Sequence, residues 1–227
     1  MHVIKSIKPT IRKEKIKRFL ARRPGERVSR RTQQLLRRSI ENCNRLLKPV
    51  VLYKENPIKE TSGGSLILEG DISLKGARLS GAMRNCTSTT VFLATVGSAL
   101  DEKISTLMKK KQFAEAYIYD AIGSVAAEET VDIFQRGYDE KLGKRQKTST
   151  LRFSPGYCDW PIEEQKKLFR ILDSTVIGVE LSPTCLMRPR KSISGIFGVG
   201  HSEHLGKKSF NPCKRCSYDN CTVRRAD

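Results

Sequence analysis

Arg152-Phe153-Ser154-Pro155-Gly156-Tyr157-Cys158-Asp159-Trp160-Pro161 puts an arginine, a stiff corner and an aromatic ring on one short loop. Pro155 fixes φ and Gly156 permits φ > 0, so this corner is able to hold one shape before any ligand arrives. Arg152 carries a planar fork of donors matched to a carboxylate or phosphate. Tyr157 offers a flat face with a polar tip. Together they suit a small anionic or zwitterionic ligand that carries a ring. Upstream, Glu128 and Asp132 stand four residues apart, so on a helix both project from one face. The third set is Cys213-x2-Cys216-x4-Cys221, where thiolates two residues apart are able to hold one metal and the third closes back on it. Three thiolates leave one position open, for which Cys158, Cys185, His201 and His204 are candidates. The two histidines also read as ordinary surface residues.

Each set has a plainer reading. A loop of this composition is also what a turn with a surface arginine looks like, and acidic pairs at i, i+4 are common on solvated helices. Residue types alone leave both readings open.

The elements that must position these groups read as a mixture. Residues 11–23 and 27–47 predict two helices parted by Arg23-Pro24-Gly25-Glu26, the second with an apolar stripe through Leu36, Ile40, Cys43 and Leu47. Pro49–Tyr53 predicts a strand, and Leu66–Leu68 with Ile72–Leu74 a hairpin around Glu69-Gly70-Asp71. Thr89–Val96 is β-branched and apolar, the best strand of the chain. Residues 113–139 give the longest helical pattern, with Gly123 placed for a close packing contact. Residues 143–150 read as a surface connection, 161–172 as a short amphipathic helix, and Val176–Leu181 and Ser192–Val199 as strands. No βαβ rhythm emerges, so the fold class is α+β with a mixed or antiparallel sheet. The predicted organisation is a basic helical segment over 1–48 packed on a core over 49–200, with a Cys-rich tail over 201–227.

The chain has 227 residues, enough for a sizeable core, and its net charge is +19. Residues 1–48 hold 16 Lys/Arg against 3 Asp/Glu, roughly +13 of that total. A basic arm favours nucleic acid, an anionic membrane or an acidic protein partner, or is simply a solvated face. No run reaches membrane-spanning length and no apolar leader opens the sequence, which makes the cytoplasm the expected compartment. Seven cysteines fit thiols or metal ligands there better than a disulfide framework. Cys43 and Cys86 read as small buried residues.

The Arg152 loop, together with Leu186-Met187-x-Pro189-x-Lys191-Ser192-x-Ser194-Gly195 and the helix pattern Ala127-Glu128-x3-Asp132, resembles the activation domain of cobalamin-dependent methionine synthase. It resembles more closely still the free-standing proteins related to that domain. The resemblance implies binding of S-adenosylmethionine, with Glu128 meeting its ammonium group and Arg152, Gly156 and Tyr157 forming the ligand loop. It implies a partner that carries cobalamin, either methionine synthase or another corrinoid protein, in a reductive methylation that restores the oxidised cofactor. The electron would come from a separate donor such as flavodoxin or ferredoxin. No catalytic residue is implied in this chain, since its share is to place a ligand. Related free-standing proteins share a Cys-rich ending, which favours an iron–sulfur cluster or zinc on Cys213, Cys216 and Cys221. The chain departs from the family pattern in two places. No aspartate set among aromatic residues opens it, and Ile196-Phe197 stands where a tyrosine pair is expected. Two other functions compete with this one. The first is a basic nucleic-acid-binding module with a metal-pinned tail. The second is a redox or scaffold protein that keeps the fold and has lost the ligand.

Overall fold

The computed structural model describes residues 1–20 and 29–205. In chain order the elements are β1 (His2–Ile4), α1 (Lys13–Leu20), α2 (Arg30–Cys43), β2 (Val50–Ser62), β3 (Ser65–Leu68), β4 (Ile72–Lys75), α3 (Ala77–Met83) and β5 (Ser88–Thr95). They continue as α4 (Ala99–Lys109), α5 (Phe113–Gly143), β6 (Lys147–Ser149), α6 (Gln165–Ile171), β7 (Glu180–Leu181), β8 (Met187–Arg188), β9 (Ser192–His201) and α7 (Ser202–Leu205). The class is α+β, with an antiparallel sheet ordered β4-β3-β2-β5-β9-β6. β1 adds to β2 at Val51–Tyr53, along the edge that β3 leaves open. β7 and β8 form a separate two-stranded ladder.

The alternation along β5 explains how one strand serves two cores. Val91 and Leu93 point into a cluster with Leu52, Leu79, Trp160 and Leu168 beneath α3 and α6. Phe92 and Ala94 point the other way, against Phe134, Tyr138 and Phe197 beneath α5. A strand covered on both faces has no reason to carry polar side chains, which is why Thr89–Val96 reads as nearly continuous apolar sequence. The outer side of α5 is buried in turn. Ile16 of α1 and Leu36 and Cys43 of α2 pack with Ile118, Ile122 and Ala126. Gly123 lets α4 and the segment before β9 approach α5, because a Cβ there would overlap Leu100 and lie 2.8 Å from Lys191 Cγ.

Several elements differ from the expectation for physical reasons. α1 begins at Lys13 and α2 spans Arg30–Cys43, inside the predicted 27–47; residues 21–28 lie outside the described set. β2 runs on from Tyr53 to Ser62 because β5 and β3 pair with its polar second half. α3 was not expected, being only two turns long and interrupted by Gly81. The 143–150 connection contains β6, a polar edge strand whose Ser149 is buried by hydrogen bonds from Gln135 and to Asp139. Of the strand expected over Val176–Leu181 only Glu180–Leu181 forms. Asp173 caps a 3-10 turn over Ser174–Ile177 through Thr175 N, and Gly178 ends that turn at φ +64.

Cys43 and Cys86 are buried, and burial pushes both thiols from about 9 up to about 12. A raised folded-state pKa gives stability that is complete below the unfolded value and is lost as pH rises through the folded one. Above pH 9 each thiol therefore lowers the unfolding free energy by about 1.4 kcal/mol per pH unit until about 12. Urea melts at pH 8 and pH 10 should show a smaller alkaline loss in a Cys43→Ala/Cys86→Ala variant than in the unaltered protein. Equal losses would rule the two thiols out as the source.

Candidate ligand-binding site

Asp120, Ser124, Glu128 and Asp132 recur every four residues, so they form one polar stripe along α5. Two cations laid down beside β9 bind that stripe. Lys191 Nζ lies 2.8 Å from Asp120 Oδ1 and 3.0 Å from Ser124 Oγ. One helical turn or two further on, Arg152 spreads its fork, with Nη2 at 2.7 Å from Glu128 Oε2 and Nη1 at 2.7 Å from Asp132 Oδ1. The guanidinium side chain is 11% exposed, against 41% and 32% for the two carboxylates. Burial presses its pKa down, but Glu128 and Asp132 more than offset this and leave it raised. Lys15 of α1 adds a third cation to α5, 2.8 Å from the buried Glu129 and 3.7 Å from Asp132.

Backbone geometry holds Arg152 in place. Phe153 and Ile196 exchange two hydrogen bonds, N to O at 2.8 and 2.9 Å, which fastens the start of the loop to β9. The corner then closes as Tyr157 N donates to Ser154 O at 3.2 Å, with Pro155 second and Gly156 third at φ +88. That is the signature of a type II turn. Gly156 N also donates to Trp160 O, and a Cβ at Gly156 would come within 3.2 Å of Ile162 Cδ1. Trp160 is buried beneath the loop, while Tyr157 stays half exposed.

A pocket of about 460 Å³ opens between α5, this loop and the segment leading into β9. Glu128 and Tyr157 line it, as do Ser154, Gln165, Cys185 and the stretch Leu186–Arg188. Arg152 stands behind Glu128, and Gly156 shapes the turn that carries Tyr157. Of the residues singled out in the sequence, Glu128 and Tyr157 thus share the cavity wall and Arg152 and Gly156 support it. Sequence reasoning passed over Arg188 and Arg190, which also line the pocket. They occupy the two unspecified positions around Pro189 in the Leu186–Gly195 motif, where a charge was the only signal. A larger cavity of about 1030 Å³ lies elsewhere, between residues 5–9, the α2–β2 turn and Gly97–Ser98, and none of the expected residues lines it.

The family model described as the vitamin B12-dependent methionine synthase activation domain matches residues 88–221, more than half of the chain. The chain belongs to that family. The matched span covers β5, α5, the Arg152 loop and β9, the elements that build the pocket. Among solved structures the family fold is met again in one described as the MetH reactivation domain bound to AdoHcy. The two are 16% identical with a TM-score of 0.63, over 92% of this chain and 80% of that one. That likeness speaks for the fold. No curated protein matches the chain.

Cys213, Cys216 and Cys221 lie outside the described residues. Among the described residues, no group of three His, Cys, Asp or Glu side chains is placed to hold a metal, and the iron–sulfur or zinc expectation gains no support. Among them too, no helix is long and apolar enough to cross a membrane.

Proposed function

We propose that this activation-domain protein binds S-adenosylmethionine in the pocket between α5 and the Arg152 loop and presents it to a corrinoid held by a partner protein. One observation carries the reading: Glu128 lines the pocket while Arg152, behind it, fixes the orientation of its carboxylate. An oriented carboxylate suits the ammonium of an amino-acid tail. Tyr157, half exposed on a rigid turn, suits the face of a purine. A volume near 460 Å³ falls within the roughly 300–1,000 Å³ usual for small-molecule sites. The AdoHcy complex of the similar structure supports an adenosyl ligand in this fold.

Methyl transfer from a sulfonium to reduced cobalt is chemistry that belongs to those two molecules. What the chain contributes is binding, orientation and exclusion of unproductive poses. Its basic surface, +19 overall, suits an acidic partner that carries the corrinoid, and the electron comes from a separate donor.

Titration calorimetry under anaerobic conditions tests the reading. Saturable S-adenosylmethionine binding is expected, weakened about tenfold or more in Glu128→Gln. 5′-Methylthioadenosine, which lacks the amino-acid tail, should bind both proteins alike. Absence of saturable binding by the unaltered protein would remove the proposal.

A further inference from the structure

Arg152 turns its fork to Glu128 and Asp132 and lies outside the pocket lining, so the carboxylate of a zwitterionic ligand in the cavity needs another partner. Two cations are available in the same cavity. Arg188 and Arg190 line the pocket together with Glu128, and both are exposed. Among the described residues neither side chain forms an ion pair. Their backbone is nevertheless anchored. Arg190 N donates to Asp101 Oδ2 at 2.6 Å, and Arg188 sits in the β7–β8 ladder opposite Glu180. Just beyond them, Lys191 is fastened to Asp120 and Ser124 on α5. The segment is therefore held at three points, while Arg188 and Arg190, exposed and outside the ion pairs of the described residues, line the pocket.

We infer that Arg188 and Arg190 form the carboxylate subsite of this pocket, opposite the ammonium subsite at Glu128, and that Arg152 acts as a positioning residue for Glu128. The inference rests on the S-adenosylmethionine reading and specifies how the amino-acid tail is recognised. One carboxylate and two guanidinium groups around one cavity select a zwitterion over a simple amine or a neutral nucleoside. Arginine suits the role because its fork meets both oxygens of a carboxylate at once. The pocket then discriminates mainly at the tail, with the ring contributing affinity common to all adenosyl compounds.

The test compares S-adenosylmethionine with decarboxylated S-adenosylmethionine, which keeps the amine and the sulfonium. The unaltered protein should prefer the intact ligand by about ten- to a hundredfold. In Arg188→Ala/Arg190→Ala that preference should collapse, with affinity for the decarboxylated compound little changed. The decarboxylated compound also reports whether the double variant keeps its fold. A preference that survives in the double variant would overturn the subsite and leave the S-adenosylmethionine reading standing. No binding of either ligand by the unaltered protein would overturn both.

Discussion

Replacing Arg152 by alanine is expected to weaken S-adenosylmethionine binding about tenfold or more, as Glu128→Gln does, and to lower the unfolding free energy by about 3 kcal/mol. Both effects have one cause. The guanidinium is 11% exposed and bridges α5 to the start of the ligand loop through Glu128 and Asp132. Its removal leaves two carboxylates on adjacent turns of one helix face, now repelling each other. Lys15, 3.7 Å from Asp132, offsets part of that repulsion but has no contact with Glu128 among the ion pairs of the described residues. The carboxylates are partly exposed, so water relieves some of the cost. That keeps the expected loss at the lower end of the range for a broken buried pair. Glu128 loses its fixed direction, and with it the ammonium subsite.

Arg152→Lys separates positioning from stability. A lysine keeps the charge but presents a point donor instead of a fork, so it meets one carboxylate well and not two. Thermal stability should largely return, while S-adenosylmethionine affinity stays reduced about tenfold. Binding of 5′-methylthioadenosine, which has no ammonium, should be close to normal. If the lysine variant binds both compounds as the unaltered protein does, Arg152 is structural only.

Gly195→Ala is expected to cost about 2–3 kcal/mol and to weaken ligand binding although the residue lies outside the pocket lining. A Cβ at position 195 would stand 2.6 Å from Phe153 O and 2.7 Å from Phe92 Cζ. The backbone oxygen cannot rotate away, because it accepts the Ile196 N–H that fastens the Arg152 loop to β9. Phe92 has little room either, being fully buried against Phe134 and Phe197. The strain must therefore be relieved by moving Phe153, and Arg152 moves with it. Denaturant melts and calorimetry on the same preparation measure both effects. Gly137→Ala makes the comparison, since a Cβ there meets nothing within 4 Å and leaves the loop untouched. A Gly195→Ala protein as stable as the unaltered one would show that the bridge tolerates displacement.

The polar groups of the site were legible where chemistry is local. Glu128 and Asp132 share a helix face because 3.6 residues make a turn, and that is a property of any helix over residues 113–139. The Ser154–Tyr157 corner follows from Pro155 and Gly156, whose backbone preferences select a type II turn without help from distant residues. Thr89–Val96 announced a buried strand by composition, and the Leu66–Leu74 hairpin by its turn residues.

What the sequence left undecided were pairings between segments far apart in the chain. Nothing local assigns Arg152 to Glu128 and Asp132, 24 and 20 residues away, in place of a ligand; the Phe153–Ile196 bridge decides it by placing the guanidinium over α5. The same holds for Lys15 on Glu129, 114 residues apart, and for Arg188 and Arg190, which reach the pocket only because the segment before β9 folds over α5. Local preference comes from φ, ψ and side-chain period, which each residue carries with it. A long-range ion pair depends on which faces the core brings together. Burial of apolar surface drives that choice, and the charges then pair across the faces it sets side by side.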